Sequence, residues 1–368
     1  MAGSVYGDLF KISTFGESHG GGLGVIVDGC PAGIPIDEAV IMEYMNRRRP
    51  GGIRYSTPRS EADSIKILSG VFEGKTTGTP IMLSAENTDQ RSKDYSDIAT
   101  YYRPGHADYT YDAKYGFRDY RGGGRSSGRE TLGRVAAGAV ALSFLKELGI
   151  DILAYTKSIG HVVADASSVD RKTVMKSSLY MPDPKATEEA ERYLDELIAA
   201  DDSAGGVVEC VIRGLPAGIG EPVFDKLDAR LAGAVMSIGA VKGFEIGAGF
   251  AAAGMRGSEN NDSFVSDDGT AKTIHKKTNN SGGILGGISD GSDVVFRAAF
   301  KPTPSIGCEQ DTVTTDGANV KKTVSGRHDP VIVPRAVVVV EAMAGIVVAD
   351  LLLKNMTSKL SDIRKIYQ

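Results

Sequence analysis

The chain contains no tryptophan and only three cysteines in 368 residues. Cys30, Cys210 and Cys308 are far apart and form no Cys-x-x-Cys pair, so the sequence predicts neither a disulfide framework nor a metal site. Free thiols are typical of a reducing compartment. The N-terminus also lacks the charged start and apolar run of a secretory signal. We therefore expect a cytoplasmic protein.

The chain also has no excess of basic residues. Its formal net charge is −5 and its pI is about 5.7, whereas nucleic-acid-binding proteins usually present a broad basic face with interleaved aromatics. The most apolar segment, residues 336–353, is interrupted by Glu341 and Asp350. This pattern favours a buried helix over a membrane span. We expect neither a nucleic-acid partner nor a membrane, and a small anionic ligand fits better.

The sequence does not fully satisfy any of three common motifs: the hydrolase elbow, the P-loop and the Rossmann glycine motif. Residues 16–20 match the Gly-x-Ser-x-Gly elbow of hydrolases, but a strand-like run follows Ser18 where that motif needs a helix, so an esterase is the weaker interpretation. Residues 70–77 are one residue short of a P-loop and are predicted to form a hairpin. No Gly-x-Gly-x-x-Gly stands between a strand and a helix, so a Rossmann fold is not indicated.

The segment from Arg118 to Val140 concentrates positive charge beside three glycines. Its arginines are Arg118, Arg121, Arg125, Arg129 and Arg134. Ser127 and Glu130 have capping-box spacing, and the following Val135–Leu145 run is uncharged, which predicts a helix buried on all sides. A helix N-terminus beside glycines and arginines is typical of an anion site. The alternative is that the arginines pair with acidic residues nearby.

Further histidines and arginines occur in loops along the chain. His19 lies in the glycine-rich turn of residues 16–22. A helix predicted from Asp37 to Arg49 ends in three arginines, which also complement its dipole. Arg103 and His106 flank a stiff Pro-Gly turn, and Asp329 precedes the apolar C-terminal helix. Each has a simpler alternative: His19 and Asp329 could merely cap local structure.

The chain contains an internal echo. Residues 25–37 and 207–225 both read as a strand, a Pro-Ala-Gly-Ile turn and an apolar helix start. A further helix is predicted from Ala186 to Ala200. We therefore expect two related β-α units, with helices packed on sheets and no flexible linker between them.

Several of these blocks together resemble a known family. The three signature segments of chorismate synthases are similar, in order, to Gly16-Glu-Ser-His-Gly20, Gly124-Arg-Ser-Ser-Gly-Arg-Glu-Thr131 and Gly326-Arg-His-Asp-Pro330. Further matching blocks are Arg47-Arg-Arg-Pro-Gly51, Arg103-Pro-Gly-His-Ala-Asp108 and Lys301-Pro-Thr-Pro-Ser305. The resemblance extends from about Gly7 to Lys354.

The resemblance implies a fold and an assembly. The fold would be α+β, a layered β-α-β sandwich with central helices between two antiparallel sheets and an internal pseudo-repeat. Residues 1–368 would form a single domain whose two related halves span roughly 1–150 and 203–354. The assembly would be a homotetramer.

The resemblance also implies a lyase of the shikimate pathway. It would convert 5-enolpyruvylshikimate 3-phosphate into chorismate and phosphate by 1,4-elimination, using reduced FMN without net redox change. NADPH is an optional source of reducing equivalents. The many anionic groups of substrate and cofactor would explain the arginines.

The resemblance assigns roles to individual residues. The catalytic residues would be His19, which protonates the reduced flavin, His106, which assists phosphate departure, and Asp329, which relays the ring proton. The substrate would be held by Arg48, Arg49, Arg54, Arg103 and Arg129, and positions like Arg48 and Arg54 are sometimes assigned to NADPH. FMN would be held by Arg125, Ser126, Ser127, Gly239, Ala240, Gly286, Lys301, Pro302, Thr303, Pro304, Ser305 and Arg327.

Two other functions stay open from the sequence. In one, the protein is a flavin or nucleotide redox enzyme whose arginines bind cofactor phosphates only. In the other, it binds phosphorylated metabolites without catalysis. Steady NADPH consumption would indicate the first, and tight ligand binding without flavin dependence would indicate the second.

Overall fold

The computed structural model describes residues 3–49, 51, 54–56, 63–87, 97–121, 123–324 and 329–368. The helices in this part of the chain are α1 (Glu38–Arg48), α2 (Asp108–Tyr115), α3 (Thr131–Glu147), α4 (Arg171–Lys176), α5 (Pro184–Ala199), α6 (Leu227–Met236), α7 (Gly257–Asn260), α8 (Val333–Asn355) and α9 (Leu360–Tyr367).

The strands form two five-stranded antiparallel sheets and four small hairpins. The first sheet has the spatial order β1 (Val5–Tyr6), β2 (Lys11–Gly16), β3 (Gly22–Asp28), β7 (Ile81–Glu86) and β4 (Lys66–Ile67). The second has the order β11 (Val241–Ile246), β16 (Val294–Phe300), β10 (Gly206–Arg213), β8 (Asp151–Ile159) and β9 (Val162–Val163). The hairpins pair β5 (Val71–Phe72) with β6 (Lys75–Thr76), β12 (Phe264–Ser266) with β13 (Ile274–Lys276), β14 (Ile284–Leu285) with β15 (Ile288–Ser289), and β17 (Gln310–Val313) with β18 (Asn319–Lys322).

The helices lie between the two sheets. α3 packs on the first sheet, α8 packs on the second, and α3 and α8 pack on each other. In the first sheet Val25 lies opposite Leu83, and in the second Phe296 lies opposite Cys210, and all four side chains are fully buried. The predicted α+β sandwich of helices between antiparallel sheets is therefore confirmed.

The two central helices are apolar all round, which explains their position. α3 is buried on every side from Val135 to Leu142, as the uncharged sequence of this stretch predicts. α8 is long and apolar enough to span a membrane, but 89% of its most apolar 18-residue window is buried inside the protein. The prediction of a buried C-terminal helix is confirmed.

Local signals also specify the smaller elements. The Asp37 carboxylate accepts the N–H of Val40 (2.9 Å) and caps α1. The helix ends at Arg48, one residue before the predicted end at Arg49. Residues 71–76 form the predicted hairpin. The turn that contains Ser18 is followed by strand β3 and not by a helix, so the hydrolase elbow is absent.

The internal repeat appears in the topology. The order β2, β3, α1, β4, β7, α3 in the first unit corresponds to β8, β10, α6, β11, β16, α8 in the second, and corresponding strands occupy corresponding places in the two sheets. The pseudo-repeat is thus confirmed. By this order β8, at residues 151–159, belongs to the second unit, and the division into halves stays a prediction.

Candidate functional site

Two helix N-termini point toward the same end of the helical layer. Gly138 of α3 lies against Ala342 of α8, and Leu142 lies against Gly345, about one turn further along both helices. α3 and α8 are therefore parallel. The positive ends of both helix dipoles lie at this end of the layer, where they favour anions.

The C-termini of α1 and α6 lie at the same end. Arg335, in the first turn of α8, donates from Nε to the carbonyl of Arg48 at the end of α1 (3.0 Å). Arg134, in the first turn of α3, donates to the hydroxyl of Ser237 just after α6 (2.6 Å). Predicted site residues from distant parts of the sequence converge here.

The turn between β2 and β3 presents His19 and is held by Asn87. The Asn87 amide donates to the carbonyls of Glu17 (2.9 Å) and Gly20 (2.8 Å), and its Oδ1 accepts from Nε of Arg129 (2.8 Å). His19 itself is half-buried. Arg129, just before α3, therefore holds the turn that carries His19 through Asn87.

The predicted cofactor residues before α3 make contacts that shape their loop. Arg125 donates to the carbonyl of Gly16 (3.1 Å) and to the hydroxyl of Thr14 (2.6 Å). The Ser126 hydroxyl donates to the carbonyl of Gly123 (2.7 Å). These contacts anchor the loop to the first sheet.

The predicted capping box is wrong in one half. Ser127 accepts a hydrogen bond from the N–H of Arg129 (3.3 Å) and caps a short 3₁₀ turn. The Glu130 carboxylate does not return to Ser127; it accepts from Nε of Arg134 (2.8 Å). The intervening 3₁₀ turn moves the cap away from α3, and Arg134 offers Glu130 a charged partner.

Several clustered arginines pair with acids close in sequence. These pairs are Arg118 with Asp112, Arg121 with Asp119 and Arg134 with Glu130. For these three arginines the alternative interpretation, that they pair with acidic residues nearby, is confirmed.

Arg48 and Arg129, both predicted to hold substrate, share one internal carboxylate. Asp63 accepts from Arg48 Nη2 on one oxygen and from Arg129 Nη1 (2.6 Å) on the other. Asp63 and Arg48 are 3% and 2% exposed. Burial lowers the pKa of Arg48 from its ordinary value, and the charge of Asp63 opposes that shift. The pair forms the buried base of the site.

Arg103 is held in two-pronged contact with Asp108. Its Nε and Nη2 each lie 2.8 Å from an Asp108 oxygen, and its backbone N–H donates to the same carboxylate (3.0 Å). Burial raises the pKa of Asp108, but the hydrogen bonds from Arg103 outweigh burial and lower it. Asp108 therefore stays ionised and orients the guanidinium.

The other two predicted substrate arginines differ from these. Arg49 is half-buried, and its side chain has no acidic partner in the part of the chain that the structure describes. Arg54 is 64% exposed, pairs with Asp195 (3.1 Å) on α5 and lies over the ring of Tyr55. The structure does not bring Arg54 into contact with the residues at the helix ends.

His106 is joined to the segment of residues 301–305. Its Nδ1 lies 2.9 Å from the carbonyl of Pro104, which can only accept, so Nδ1 carries the proton. Nε2 therefore accepts from the Ser305 hydroxyl (2.9 Å). Burial and then the nearby Arg103 charge lower the pKa of His106 below its ordinary value. The imidazole is thus mostly neutral at neutral pH.

The segment of residues 301–305 joins the loop after α6 to the His106 turn. Lys301 has no acidic partner among the described residues. Its Nζ donates to the carbonyl of Gly105 (2.8 Å), and its backbone N–H donates to that of Ala240 (2.9 Å). Burial and the Lys242 charge lower the pKa of Lys301. The buried Thr303 hydroxyl has no hydrogen-bond partner among the described residues.

Three more predicted cofactor residues, Gly239, Pro302 and Pro304, lie in or next to the segment of residues 301–305. Gly239 is exposed next to Ala240, and Pro304 borders the His106 turn at Gly105. Pro302 lies against Gly205.

Asp329 lies where the start of α8 meets this segment. Its carboxylate accepts from Nη1 of Arg335 (2.6 Å), and the carbonyl of Pro330 accepts the N–H of Ala204 (2.9 Å). α8 begins after Ile332 without a side-chain cap, so the alternative that Asp329 caps this helix is wrong. The predicted cofactor residue Arg327 lies outside the described residues.

Gly286 is not beside the other predicted cofactor residues within one chain. It lies in the turn between β14 and β15, where the carbonyl of Gly287 accepts the N–H of Leu227 at the start of α6 (2.8 Å). Gly239 follows the opposite end of α6, and a ten-residue helix is about 15 Å long.

Three residues of this network were missed by the sequence reasoning. Asp63, Asn87 and Arg335 each join two predicted site segments. Arg335 had a readable signal, since it is a lone cation in the first turn of an apolar helix. Asp63 and Asn87 had none, because their partners are distant in sequence.

The whole chain is similar to known proteins. The family profile described as chorismate synthase matches residues 10–353. The chain belongs to the chorismate synthase family. It is 63% identical over 368 residues to the chorismate synthase of Lachnoclostridium phytofermentans and 59% identical over 368 residues to that of Agathobacter rectalis, with all of both chains covered in each case.

A solved structure supports the same assignment. The structure titled as the crystal structure of chorismate synthase has a TM-score of 0.76 and 34% identity, and the match covers 98% of this chain and 97% of that chain. The chain is therefore an enzyme, a lyase of the chorismate synthase family. Membership implies a small-molecule substrate and a flavin requirement.

Proposed function

We propose that the chain converts 5-enolpyruvylshikimate 3-phosphate into chorismate and inorganic phosphate by 1,4-elimination, with reduced FMN and no net oxidation. The observation that carries this proposal is a set of hydrogen-bond donors at the helix ends that have no acidic partner among the described residues. Lys301, Arg49 and the buried Thr303 hydroxyl all belong to it. Each bond from such a charged donor to an anion contributes about 1.5–3 kcal/mol.

These donors fit a phosphorylated cofactor. A buried hydroxyl without a partner is costly, and a ligand oxygen would satisfy it. The residues proposed to hold FMN are Arg125 to Ser127, Gly239, Ala240, Lys301 to Ser305 and Arg327, with Gly286 proposed to reach the cofactor from another subunit of the proposed homotetramer. When bound, reduced FMN supplies electron density to the substrate transiently and takes it back, which is chemistry that no side chain here can perform.

His106 is proposed to assist the departure of phosphate. Its neutral Nε2 accepts from Ser305 in the ligand-free chain. A phosphate dianion placed nearby raises the pKa of the imidazole, because opposite charge favours the protonated form. Nε2 then becomes a donor and can supply a hydrogen bond or proton to the departing group.

Asp329 is proposed to relay the ring proton, and His19 is proposed to protonate the reduced flavin. Arg335 keeps the Asp329 carboxylate oriented (2.6 Å), so it can accept and relay the ring proton. The hydrogen bonds from the Asn87 amide to the carbonyls of Glu17 and Gly20 fix the turn in which the His19 imidazole would hold a proton next to the cofactor.

The arginines are proposed to grip the substrate through the N–H groups that their acids leave unused. A guanidinium has five such donors, and a carboxylate occupies only some of them. Arg48, Arg103 and Arg129 are pre-oriented in this way, and Arg49 and Arg54 are proposed to approach the same anions. NADPH as a hydride source, a homotetramer and a cytoplasmic location are further proposals that rest on family membership.

The test is anaerobic turnover of 5-enolpyruvylshikimate 3-phosphate with chemically reduced FMN, following chorismate and phosphate together. Equal amounts of both products, formed only with reduced and not with oxidised FMN, would support the proposal. Folded protein that makes no chorismate would contradict it. Stoichiometric NADPH oxidation without chorismate would indicate the redox alternative.

A further inference from the structure

Asp63 lies at the middle of the contacts that join the candidate catalytic residues. Its two oxygens bind Arg48, at the end of α1, and Arg129, just before α3. Its side chain is fully buried. One carboxylate therefore connects the end of α1 with the segment that leads into α3.

The connection continues in both directions. From Arg129 it passes through Asn87 to the carbonyls of Glu17 and Gly20, which flank His19. From the carbonyl of Arg48 it passes to Arg335, whose guanidinium also binds Asp329 (2.6 Å). His19 and Asp329 are thus fixed relative to each other by one continuous set of hydrogen bonds.

The backbone at Asp63 has a left-handed conformation, which an Asp tolerates better than most residues. Its φ is +44°, in the left-handed region that non-glycine residues other than Asn and Asp rarely adopt. Such conformations persist where the surrounding structure requires them, and they cluster at functional sites. At Asp63 this conformation accompanies a carboxylate that contacts both guanidinium groups.

The base of the site also retains an unused donor. Arg48 is 2% exposed, and its Nε is buried without a hydrogen-bond partner among the described residues. Asp63 thus neutralises the repulsion between two cations while leaving Arg48 able to donate to a further acceptor.

We propose that Asp63 is a positioning residue: it holds Arg48 and Arg129 at a fixed separation and, through them, aligns the His19 turn with Asp329. This inference rests on the proposed function for its kinetic part. Its structural part, the coupling of Asp63 to the His19 turn, is independent of the reaction.

The sharpest test is Asp63→Asn. Asn has the same shape and tolerates the left-handed backbone, so the change removes the charge and leaves the conformation. Misplacement of reacting groups by about 1 Å can lower rates about 100-fold, and we expect a fall of that order in kcat, larger than any change in KM. Asp63→Glu, which keeps the charge, should recover part of kcat.

Asp350→Asn is the matched control, because Asp350 is also buried and bound to an arginine, Arg230, but lies at the far end of α8. Its kcat per folded molecule should equal that of the wild type. If Asp63→Asn has wild-type kcat and KM, or loses activity only in proportion to its folded fraction, the kinetic part of the proposal is wrong. If Asp63→Asn does not fold, Asp63→Glu carries the test, and a wild-type kcat there with a displaced carboxylate contradicts positioning.

Hydrogen exchange separates this proposal from the proposed reaction. In the wild type the N–H of Gly20 donates to the carbonyl of Glu17 (3.1 Å), and that of Asn87 donates to the carbonyl of Gly21 (3.3 Å). Asp63→Asn should accelerate exchange at residues 17–21 about tenfold beyond the effect of its loss of global stability, and Asp350→Asn should show no acceleration beyond that effect. Unchanged exchange overturns the coupling, whether or not the wild type makes chorismate.

Discussion

Gly138 lies at a close approach of α3 to α8, and Gly138→Ala tests whether that approach supports the fold. A Cβ at this position lies 2.2 Å from the Ala342 Cβ and 2.6 Å from the Ala342 Cα. Carbon atoms pack favourably at about 3.5–4.0 Å, so the two helices must separate by roughly 1 Å. Neither helix can relax easily, because each is pressed on its other side by a sheet.

The magnitude follows from two opposing effects. Overpacking a core costs about 1–3 kcal/mol, and alanine returns at most about 1 kcal/mol because glycine is the poorer helix former. We expect Gly138→Ala to lose about 1–2 kcal/mol of unfolding free energy. Gly233→Ala is the control: Gly233 also lies within a helix, α6, but an added Cβ meets nothing within 4 Å, so this change should stabilise by about 0.5–1 kcal/mol.

The assay is urea unfolding followed by circular dichroism, at one protein concentration for all variants. The two alanine substitutions should shift the midpoint in opposite directions. A Gly138→Ala protein at least as stable as the wild type would refute the tight parallel contact between α3 and α8. In that case the packing of α3 on α8 would not hold their N-termini rigidly at the site.

Two further predictions concern charge. An anion beside His106 must raise the lowered pKa of this imidazole. Sulfate should therefore bind with proton uptake, and it should bind more tightly as pH falls toward 6. Calorimetry in buffers of different ionisation enthalpy should show this uptake in the wild type and not in His106→Gln. Asp350 accepts the backbone N–H groups of residues 8–10 and pairs with Arg230. Asp350→Asn should therefore cost about 3–5 kcal/mol in urea unfolding, and a loss below 1 kcal/mol would contradict this role.

Sequence patterns predict the elements whose burial is uniform or whose ends are marked. α3 and α8 are apolar on every face, and Asp37 marks the start of α1. α2 was missed, because its tyrosines and charges give no apolar stripe and the segment looks like a loop. The pairing of β8 with β10 was also beyond reach, since α4 and α5 separate the two strands and register is fixed by tertiary contact.

The site was predicted as a set of segments but not as a set of contacts. The arginine cluster, the His106 turn and residues 301–305 were all recognisable, and the structure places them at one end of the helical layer. Which acid meets which arginine could not be read, because Asp63 is 66 residues from Arg129 and the two meet only when the sheet and α3 pack. An ion pair between distant residues has no local signature.

The pairing of the arginines also changes how anion binding should be understood. Unpaired guanidinium groups as close as Arg48 and Arg129 would repel each other before any ligand arrived. Asp63 removes that repulsion, so the ligand-free site is stable and its donors are already oriented. Affinity for an anion then arises from pre-oriented hydrogen bonds and from the remaining cations, Arg49 and Lys301, more than from a large net charge. This arrangement would allow an acidic protein to hold the proposed ligands, which are rich in phosphate and carboxylate.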